Sequence, residues 1–207
     1  MWVVKLGGSL QDSAGLQPWL DAIQAHGGGR VVLVPGGGRF ADAIRLAQRR
    51  FGFDDAEAHR RAIQAMEEYA AYLCDRAPLL VPVQSRNEME QALAADRVPV
   101  WLPSAMTSID SILPASWDAT SDSLALWLAQ KLVAEGLALV KSVAVDDVRS
   151  LDELAVDGVI DAFFPMLFQQ GPVNLAWYTA EEYGKLAELL EYGVPRVKLT
   201  ESSSPLH

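Results

Sequence analysis

The sequence predicts an α/β protein, a three-layer sandwich in which helices cover both faces of a mostly parallel central sheet. The main observation is that short apolar runs alternate with longer amphipathic segments, and glycines separate many of them. Composition agrees with this class. Of the 207 residues, 50% are hydrophobic and 21% are charged, which is typical of a globular chain with a full core.

The apolar runs predict the strands, because buried parallel strands are continuous apolar segments. The first run, residues 2–6, contains a single charged residue, Lys5. Strands are predicted at residues 2–6, 31–35, 79–83, 98–102, 137–141, 173–177 and 196–200.

The amphipathic segments predict helices, and punctuation residues mark several of their ends. Pro18 and Gly27 bracket the first helix, and Asp54 with Glu57 has capping-box spacing at the start of the longest one. Irregular structure is expected at 103–120 and 142–158, and a frayed tail at 202–207. The predicted helices are 16–26, 39–50, 54–76, 87–96, 121–135, 161–170 and 180–192.

Charge and cysteine content argue against several classes of protein. The chain has 17 basic and 27 acidic residues and a net charge of −10, so no nucleic-acid partner is expected. One cysteine, Cys74, and three dispersed histidines offer neither a disulfide framework nor a zinc site. The apolar run at residues 1–6 is too short for a secretory or membrane segment. We therefore expect a cytoplasmic protein with no membrane partner.

The first loop with a chemical signal is Lys5-Leu6-Gly7-Gly8-Ser9, which ends the first strand. A lysine at the end of a buried strand needs a partner, and glycines let an anion approach the backbone N–H groups closely. The loop therefore predicts a phosphate site. A tight turn whose lysine reaches solvent is the alternative, and the residues alone leave both open.

The second loop is Gly36-Gly37-Gly38, between a strand and a helix whose N-terminus adds partial positive charge. A turn needs one or two glycines, so the third indicates backbone packed against a ligand. Gly27-Gly28-Gly29 precedes a strand instead, and we interpret it as helix termination.

The third loop places Asp118 and Asp122 on either side of the start of helix 121–135. Ordinary helix capping explains both carboxylates as well as a functional role does. Trp117 beside them fits either stacking on a planar substrate or a place in the core or a lid. His59, on the long helix, is expected at the surface.

Together the three loops resemble the amino acid kinase family. That family has a strand followed by K-x-G-G-S, a second strand ending in a glycine loop, and a later helix start of the type x-D-x-x-A, in the order found here over residues 1–145. The resemblance implies an amino acid kinase-like fold in one domain, 1–207. Residues 1–136 would bind the acceptor and phosphate, and residues 137–207 would form a reduced nucleotide lobe.

The resemblance also implies roles for individual residues. Lys5 would stabilise the transferring phosphoryl group, Asp122 would orient catalytic lysines, and Asp118 would contact the acceptor. The first loop would cradle the nucleotide phosphates with Gly7, Gly8 and Ser9. The second loop would face the acceptor with Gly36, Gly37 and Gly38.

The nucleotide lobe departs from the family pattern. The segment KSVAVDD, starting at Lys141, resembles a family segment that contacts nucleotide, so Lys141 and Asp146 become candidate contacts. For Asp146, a solvated acidic loop is an equal alternative. The late G-G-M-x-x-K segment, which carries a second catalytic lysine in many members, has no match here. Lys141, at a strand end, is the best candidate for that lysine.

Within the family, the chain is most similar to small kinases of methanofuran-type cofactor synthesis, on the segments VPGGGRFADAIR and WDATSDSLA and the short C-terminal part. The resemblance implies phosphorylation of an aminomethyl-furanmethanol phosphate to the diphosphate, with ATP and Mg²⁺. An acidic Asp118 would suit the ammonium group of that acceptor.

Other functions stay open. They are another phosphate or carboxylate kinase, a nucleotide-binding storage or regulatory protein without turnover, and a non-kinase anion-binding protein. Family members commonly form homo-oligomers through a helix such as 54–76.

Overall fold

The computed structural model describes residues 1–108, 112–145 and 149–193. Within these ranges, six strands form one parallel sheet. The predicted strand at 196–200, the predicted tail and Asp146 lie outside the described residues. The strands are β1 (Trp2–Leu6), β2 (Val31–Pro35), β3 (Leu80–Val83), β4 (Val98–Trp101), β5 (Gly136–Lys141) and β6 (Asn174–Thr179).

The strand order is β3-β4-β2-β1-β5-β6, and every pair of neighbours runs parallel. This confirms the predicted sheet. The described helices are α1 (Leu16–His26), α2 (Gly38–Phe51), α3 (Asp55–Cys74), α4 (Arg86–Ala94), α5 (Ser104–Thr107), α6 (Ser121–Leu132), α7 (Leu151–Val156), α8 (Phe164–Gln170) and α9 (Leu186–Tyr192). Short 3₁₀ helices occupy Gly8–Asp12 and Tyr183–Lys185.

Some predicted boundaries are wrong. The helix predicted at 121–135 ends at Leu132, because Val133 takes a left-handed conformation with φ of 52°. The segment 142–158 is not irregular throughout, since Ser150 and Glu153 form a capping box that starts α7. The loop at 103–120 contains α5, and the helices predicted at 161–170 and 180–192 begin later than expected.

Two hydrophobic cores lie on opposite faces of the sheet. One contains α1, α9 and the C-terminal half of α3, packed on residues such as Val4 and Leu33. The other contains α6, α8 and α4, packed on residues such as Val3 and Leu139. None of the described helices is both long and apolar enough to cross a membrane.

The two glycine loops pack against each other at the ends of β1 and β2. A Cβ on Gly8 would lie 2.0 Å from the Gly38 nitrogen, and one on Gly36 would lie 2.3 Å from the Gly8 nitrogen. A Cβ on Gly37 would meet the Cβ of Ala41 at 2.4 Å, and Gly38 has φ of 52°. Backbone packing between the loops therefore requires Gly8 and Gly36, whatever the ligand.

We predict that Gly8→Ala lowers the free energy of unfolding by about 1–3 kcal/mol, because the added methyl group overlaps backbone atoms that cannot move independently. Urea denaturation followed by circular dichroism measures this change. Gly184→Ala is the matched control, since a Cβ there meets nothing within 4 Å. Equal stability of the two variants would contradict the packing described for the loops.

Candidate functional site

A cavity of about 400 Å³ opens at the edge of the sheet where β1 and β2 end. Ligands of parallel α/β sheets bind at this edge. Charged side chains, loop backbone and an apolar wall from α3 and α6 share its lining. The lining residues are Lys5, Gly8, Ser9, Asp12, Gly37, Gly38, Arg39, Ala41, Asp42, Arg45, His59, Ala62, Ile63, Met66, Trp117, Ala119, Thr120, Ser121, Asp122 and Leu124.

The carboxylate of Asp122 lies between two lysines. The Lys5 ammonium is 2.9 Å from Asp122 Oδ1, and Lys141 Nζ donates to Asp122 Oδ2 at 2.6 Å. Lys141 Nζ also donates to the Val159 carbonyl at 2.7 Å. The three side chains are only 5%, 7% and 12% exposed for Lys5, Asp122 and Lys141. Two ammonium groups thus share the Asp122 carboxylate at the edge of the cavity.

Strand register explains why the lysines meet. Lys5 pairs with Leu139, two residues before Lys141 on the neighbouring strand. Since side chains alternate between the faces of a strand, Lys5 and Lys141 point to the same face. That face is covered by α6, whose first turn supplies Asp122.

Burial and charge act in opposition in this ion group. Burial alone would raise the pKa of Asp122, but the two lysines outweigh it and hold that pKa below its ordinary value. Burial, and then the charge of Lys5, lower the pKa of Lys141 to about 8. Lys141 therefore changes charge much closer to neutral pH than an exposed lysine does.

Asp161 is a second partly buried carboxylate next to this group. It accepts hydrogen bonds from the backbone N–H groups of Thr120 and Ser123 at 2.8 and 3.0 Å, at the start of α6. Burial, and then the charge of Asp122, raise the pKa of Asp161. The sequence placed a helix start near this position but assigned no role to its carboxylate.

Another part of the cavity lining joins the loop before α6 to α2 and α3. The Trp117 indole Nε1 donates to Gln48 Oε1 at 2.7 Å, and the Arg45 guanidinium lies 4.1 Å from the centre of the indole ring. His59 Nδ1 donates to the Ser116 carbonyl at 3.1 Å. His59 is therefore half-buried in the site, and its expected place at the surface is wrong.

The sequence-predicted residues fall into two groups. Lys5, Gly8, Ser9, Gly37, Gly38 and Asp122 line the cavity, and Lys141 joins them through Asp122. In the described part of the chain, Gly7, Gly36 and Asp118 lie outside that lining. Asp118 is exposed, and its Oδ2 accepts a hydrogen bond from the Ser116 hydroxyl at 3.0 Å. Gly7 packs beneath the site, where its N–H donates to the Val140 carbonyl at 2.9 Å.

A second cavity of about 680 Å³ lies beside the ends of β5 and β6. Its lining combines aromatic and acidic side chains with one lysine, and it borders the segment that follows Lys141. The lining residues are Val143, Ala144, Val145, Ala176, Trp177, Tyr178, Thr179, Glu182, Lys185, Glu188, Leu189, Tyr192 and Gly193.

The family model described as the amino acid kinase family matches residues 1–157. The chain belongs to the amino acid kinase family. This membership confirms the resemblance drawn from the three loops and the three-layer fold predicted with it.

Similarity to individual proteins extends over nearly the whole chain. The [5-(aminomethyl)furan-3-yl]methyl phosphate kinase of Methanocaldococcus jannaschii is 24% identical over 92% of this chain and 93% of its own. The uridylate kinase of Archaeoglobus fulgidus has a TM-score of 0.67 at 20% identity, covering 90% of this chain and 95% of its own. An isopentenyl phosphate kinase has a TM-score of 0.59 at 19% identity, covering 92% and 96%. As a member of this family, the chain is an ATP-dependent kinase that acts on a small molecule.

Sequence reasoning missed four residues that the fold brings to this amino acid kinase site: Asp42, Arg45, His59 and Asp161. For the first two, a signal was available, because both lie in the helix that follows the glycine loop. His59 and Asp161 depend on contacts with residues 57 and 38–41 positions away, which local patterns do not reveal.

We predict that Asp122→Ala lowers the free energy of unfolding by about 3–5 kcal/mol, because it leaves two buried ammonium groups without their counter-charge. Urea denaturation at neutral pH measures the loss. Asp118→Ala, which removes an exposed carboxylate four residues earlier, is the control and should change stability by no more than about 0.5 kcal/mol. A loss at Asp122 as small as that of the control would mean that the carboxylate does not hold the lysines.

Proposed function

We propose that the chain transfers the γ-phosphoryl group of ATP to [5-(aminomethyl)furan-3-yl]methyl phosphate and forms the diphosphate, in methanofuran-type cofactor synthesis. The observation that carries the proposal is the buried group of Lys5, Asp122 and Lys141 at the cavity, since two ammonium groups fixed in place suit a reaction between two phosphates. Similarity to the kinase of Methanocaldococcus jannaschii over nearly the whole of both chains supports the choice of acceptor.

Lys5 and Lys141 are proposed to stabilise the transferring phosphoryl group. An oxygen of the acceptor phosphate forms a bond to the γ-phosphorus while the bond to the β–γ bridging oxygen breaks, and ADP leaves. Negative charge spreads over the transferred group in this step, so fixed cations lower the barrier. The acceptor oxygen is already anionic, so no general base is needed. Asp122 keeps the two ammonium groups apart and in place.

The glycine loops are proposed to bind phosphate with their backbone. Gly8, Ser9, Gly37 and Gly38 line the cavity, and glycine backbone admits an anion close to its N–H groups. Gly7 and Gly36 would act indirectly, by letting the loops pack together. The N-terminus of α2 starts at the second loop and adds partial positive charge.

The lobe of residues 137–207 is proposed to bind the nucleotide, and residues 1–136 the acceptor. The second cavity supports this division, because Trp177 and Tyr178 suit a base while Glu182 and Glu188 suit ribose hydroxyls. Lys141, at the end of β5, contacts Asp122 in the lining of the first cavity and would contact the ATP phosphates. Asp146 stays a candidate nucleotide contact.

Mg²⁺ is proposed to arrive with ATP. The described residues contain no cluster of three or more acidic, histidine or cysteine side chains that would hold a metal ion. Mg²⁺ in kinases needs only one or two carboxylates in addition to the substrate phosphates. The ion would neutralise charge on the β- and γ-phosphates.

Asp42 is proposed to contact the acceptor's ammonium group. Four carboxylates stand near the acceptor end, and three have partners: Asp122 holds two lysines, Asp12 is 3.3 Å from Arg39, and Asp118 accepts from Ser116. Asp42 lines the cavity with its side chain exposed. Trp117 provides a flat apolar surface in the same lining for the furan ring. We therefore propose Asp42, in place of Asp118, as the residue that contacts the ammonium group of the acceptor.

A homo-oligomer and a cytoplasmic location complete the proposal. Leu46 and Phe51 on α2 are 63% and 72% exposed, which offers an apolar surface for a second copy beside α3. A single cysteine and the use of ATP fit the cytoplasm. The runner-up function is a kinase of another small phosphate or carboxylate, which the same cations would serve.

We predict that Lys5→Met lowers kcat by about 100-fold or more and leaves the thermal unfolding midpoint near that of the wild type. A coupled assay of ADP formation with the furan phosphate measures turnover. Lys131→Met, which removes an exposed lysine from the end of α6, is the control and should keep wild-type turnover. Wild-type kcat in the Lys5 variant would contradict the proposed function, and absence of ADP with every acceptor in the wild type would favour a nucleotide-binding protein without turnover.

We predict that Asp42→Asn raises KM for the aminomethyl acceptor by about tenfold or more and leaves KM for ATP unchanged, because an ammonium group loses its counter-charge. The same acceptor with a hydroxymethyl group in place of the aminomethyl group should show little difference between wild type and variant. Asp118→Asn is the matched control. A larger effect at Asp118 than at Asp42 would restore the assignment made from the sequence.

A further inference from the structure

We propose that Asp161, in the nucleotide lobe, is a positioning residue of the phosphoryl transfer. It holds the first turn of α6 in place, and with it Asp122. The inference rests on the kinase activity and on the roles proposed for Lys5, Asp122 and Lys141. Asp161 would touch neither substrate and would act only through α6 and Lys141.

The first observation is that Asp161 replaces the local cap of α6. Thr120 occupies the N-cap position, but its side chain makes no capping hydrogen bond to the helix it precedes. Asp161 Oδ2 instead accepts from Thr120 N at 2.8 Å, from the Thr120 hydroxyl at 3.0 Å and from Ser123 N at 3.0 Å. The Ser123 hydroxyl donates to Oδ1. One carboxylate thus satisfies two backbone N–H groups that every helix start leaves open.

The second observation is that the same short segment holds the second lysine. The Val159 carbonyl accepts from Lys141 Nζ at 2.7 Å, two residues before Asp161. Asp161 Oδ1 also accepts from Phe164 N at 3.1 Å, at the start of α8. Residues 159–161 therefore fix both partners of one contact: Lys141 directly, and Asp122 through the turn that contains it.

A carboxylate suits this position better than an amide. The groups that converge on Asp161 are all donors, namely backbone N–H groups and hydroxyls, so an Asn side chain would turn its own NH₂ toward some of them. Asp161 also carries charge into the surroundings of Lys141, where Lys5 opposes protonation while Asp122 and Asp161 favour it. Loss of the Asp161 charge should therefore make Lys141 release its proton at lower pH.

A purely structural cap predicts something different. Loss of a cap lowers stability, by about 1 kcal/mol in typical cases, and leaves the ionisation of a distant lysine unchanged. A positioning role therefore requires two results together, a large fall in kcat and a shift of the pH profile. The pKa of Lys141, lowered to about 8, puts the relevant limb of the profile in an accessible range.

The test compares Asp161→Asn with Asp54→Asn as the matched control. Asp54 also caps a helix by accepting from a backbone N–H, Glu57 N at 2.8 Å, but it lies outside the cavity. For Asp161→Asn we expect kcat to fall by about 100-fold, because Asp122 and Lys141 lose their alignment. KM for ATP should change little at a pH below the range in which Lys141 loses its charge in either protein. For Asp54→Asn we expect wild-type kcat.

The pH dependence of kcat/KM supplies the deciding readout, since it reports the ionisation of the free enzyme. In the wild type, kcat/KM should fall as pH rises through about 8, where Lys141 loses its charge. In Asp161→Asn this alkaline limb should move to lower pH, and in Asp54→Asn it should stay. Wild-type kcat in Asp161→Asn, or a lower kcat with an unmoved limb, would overturn the proposal.

Two further arms keep the result decisive. If circular dichroism shows that Asp161→Asn does not fold, Thr120→Val replaces it, because it removes one donor and keeps the charge. In that variant kcat should fall while the alkaline limb stays in place, and wild-type kcat would overturn the proposal.

Calorimetric binding of the non-hydrolysable analogue AMP-PNP with Mg²⁺ needs no acceptor. The affinity for this analogue should fall as pH rises through about 8 in the wild type, and it should fall at lower pH in Asp161→Asn. An incorrect acceptor would leave this difference between the two proteins unchanged, whereas an incorrect role for Asp161 would remove it.

Discussion

The Asp122 carboxylate, held between two buried ammonium groups, is the interaction on which the site depends. Lys5 and Lys141 stand on neighbouring strands and would repel each other strongly in a dry environment without it. The sheet register, the place where α6 starts and the cap from Asp161 all serve to keep this carboxylate in position. A site that attracts two phosphates is thus built inside a chain with a net charge of −10.

Burying the ammonium group of Lys141 has an electrostatic cost, which a bound anionic substrate would reduce. Burial lowers the pKa of Lys141 to about 8, so the charged form of this lysine is less stable than that of an exposed lysine until an anion binds beside it. Preorganised charge of this kind stabilises a transition state without reorganisation at the moment of reaction. The backbone packing of the glycine loops adds N–H groups that are equally fixed in place.

Much of this was predictable from the sequence, and the rest was not, for physical reasons. Apolar runs predicted the six described strands, and Lys5 stood out because a lysine at the end of a buried strand needs a partner. Asp122 gained its role only through the resemblance to the family, because helix capping explained its position equally well. The resemblance implied a second lysine, and Lys141 was the best candidate for it because of its place at a strand end. Asp161 could not be predicted, because its partners lie 38–41 residues away and local patterns carry no such distances. The exposed Asp118 drew attention by spacing, while Asp42 lines the cavity.

The most direct measurement is a crystal structure with ADP, Mg²⁺, aluminium fluoride and the furan phosphate, which together imitate the group in transfer. We predict that the fluoride ligands lie about 3 Å from the Nζ atoms of both Lys5 and Lys141, with Asp122 still between them. A fluoride complex bound away from both ammonium groups, or a Lys5 side chain turned into solvent, would contradict it.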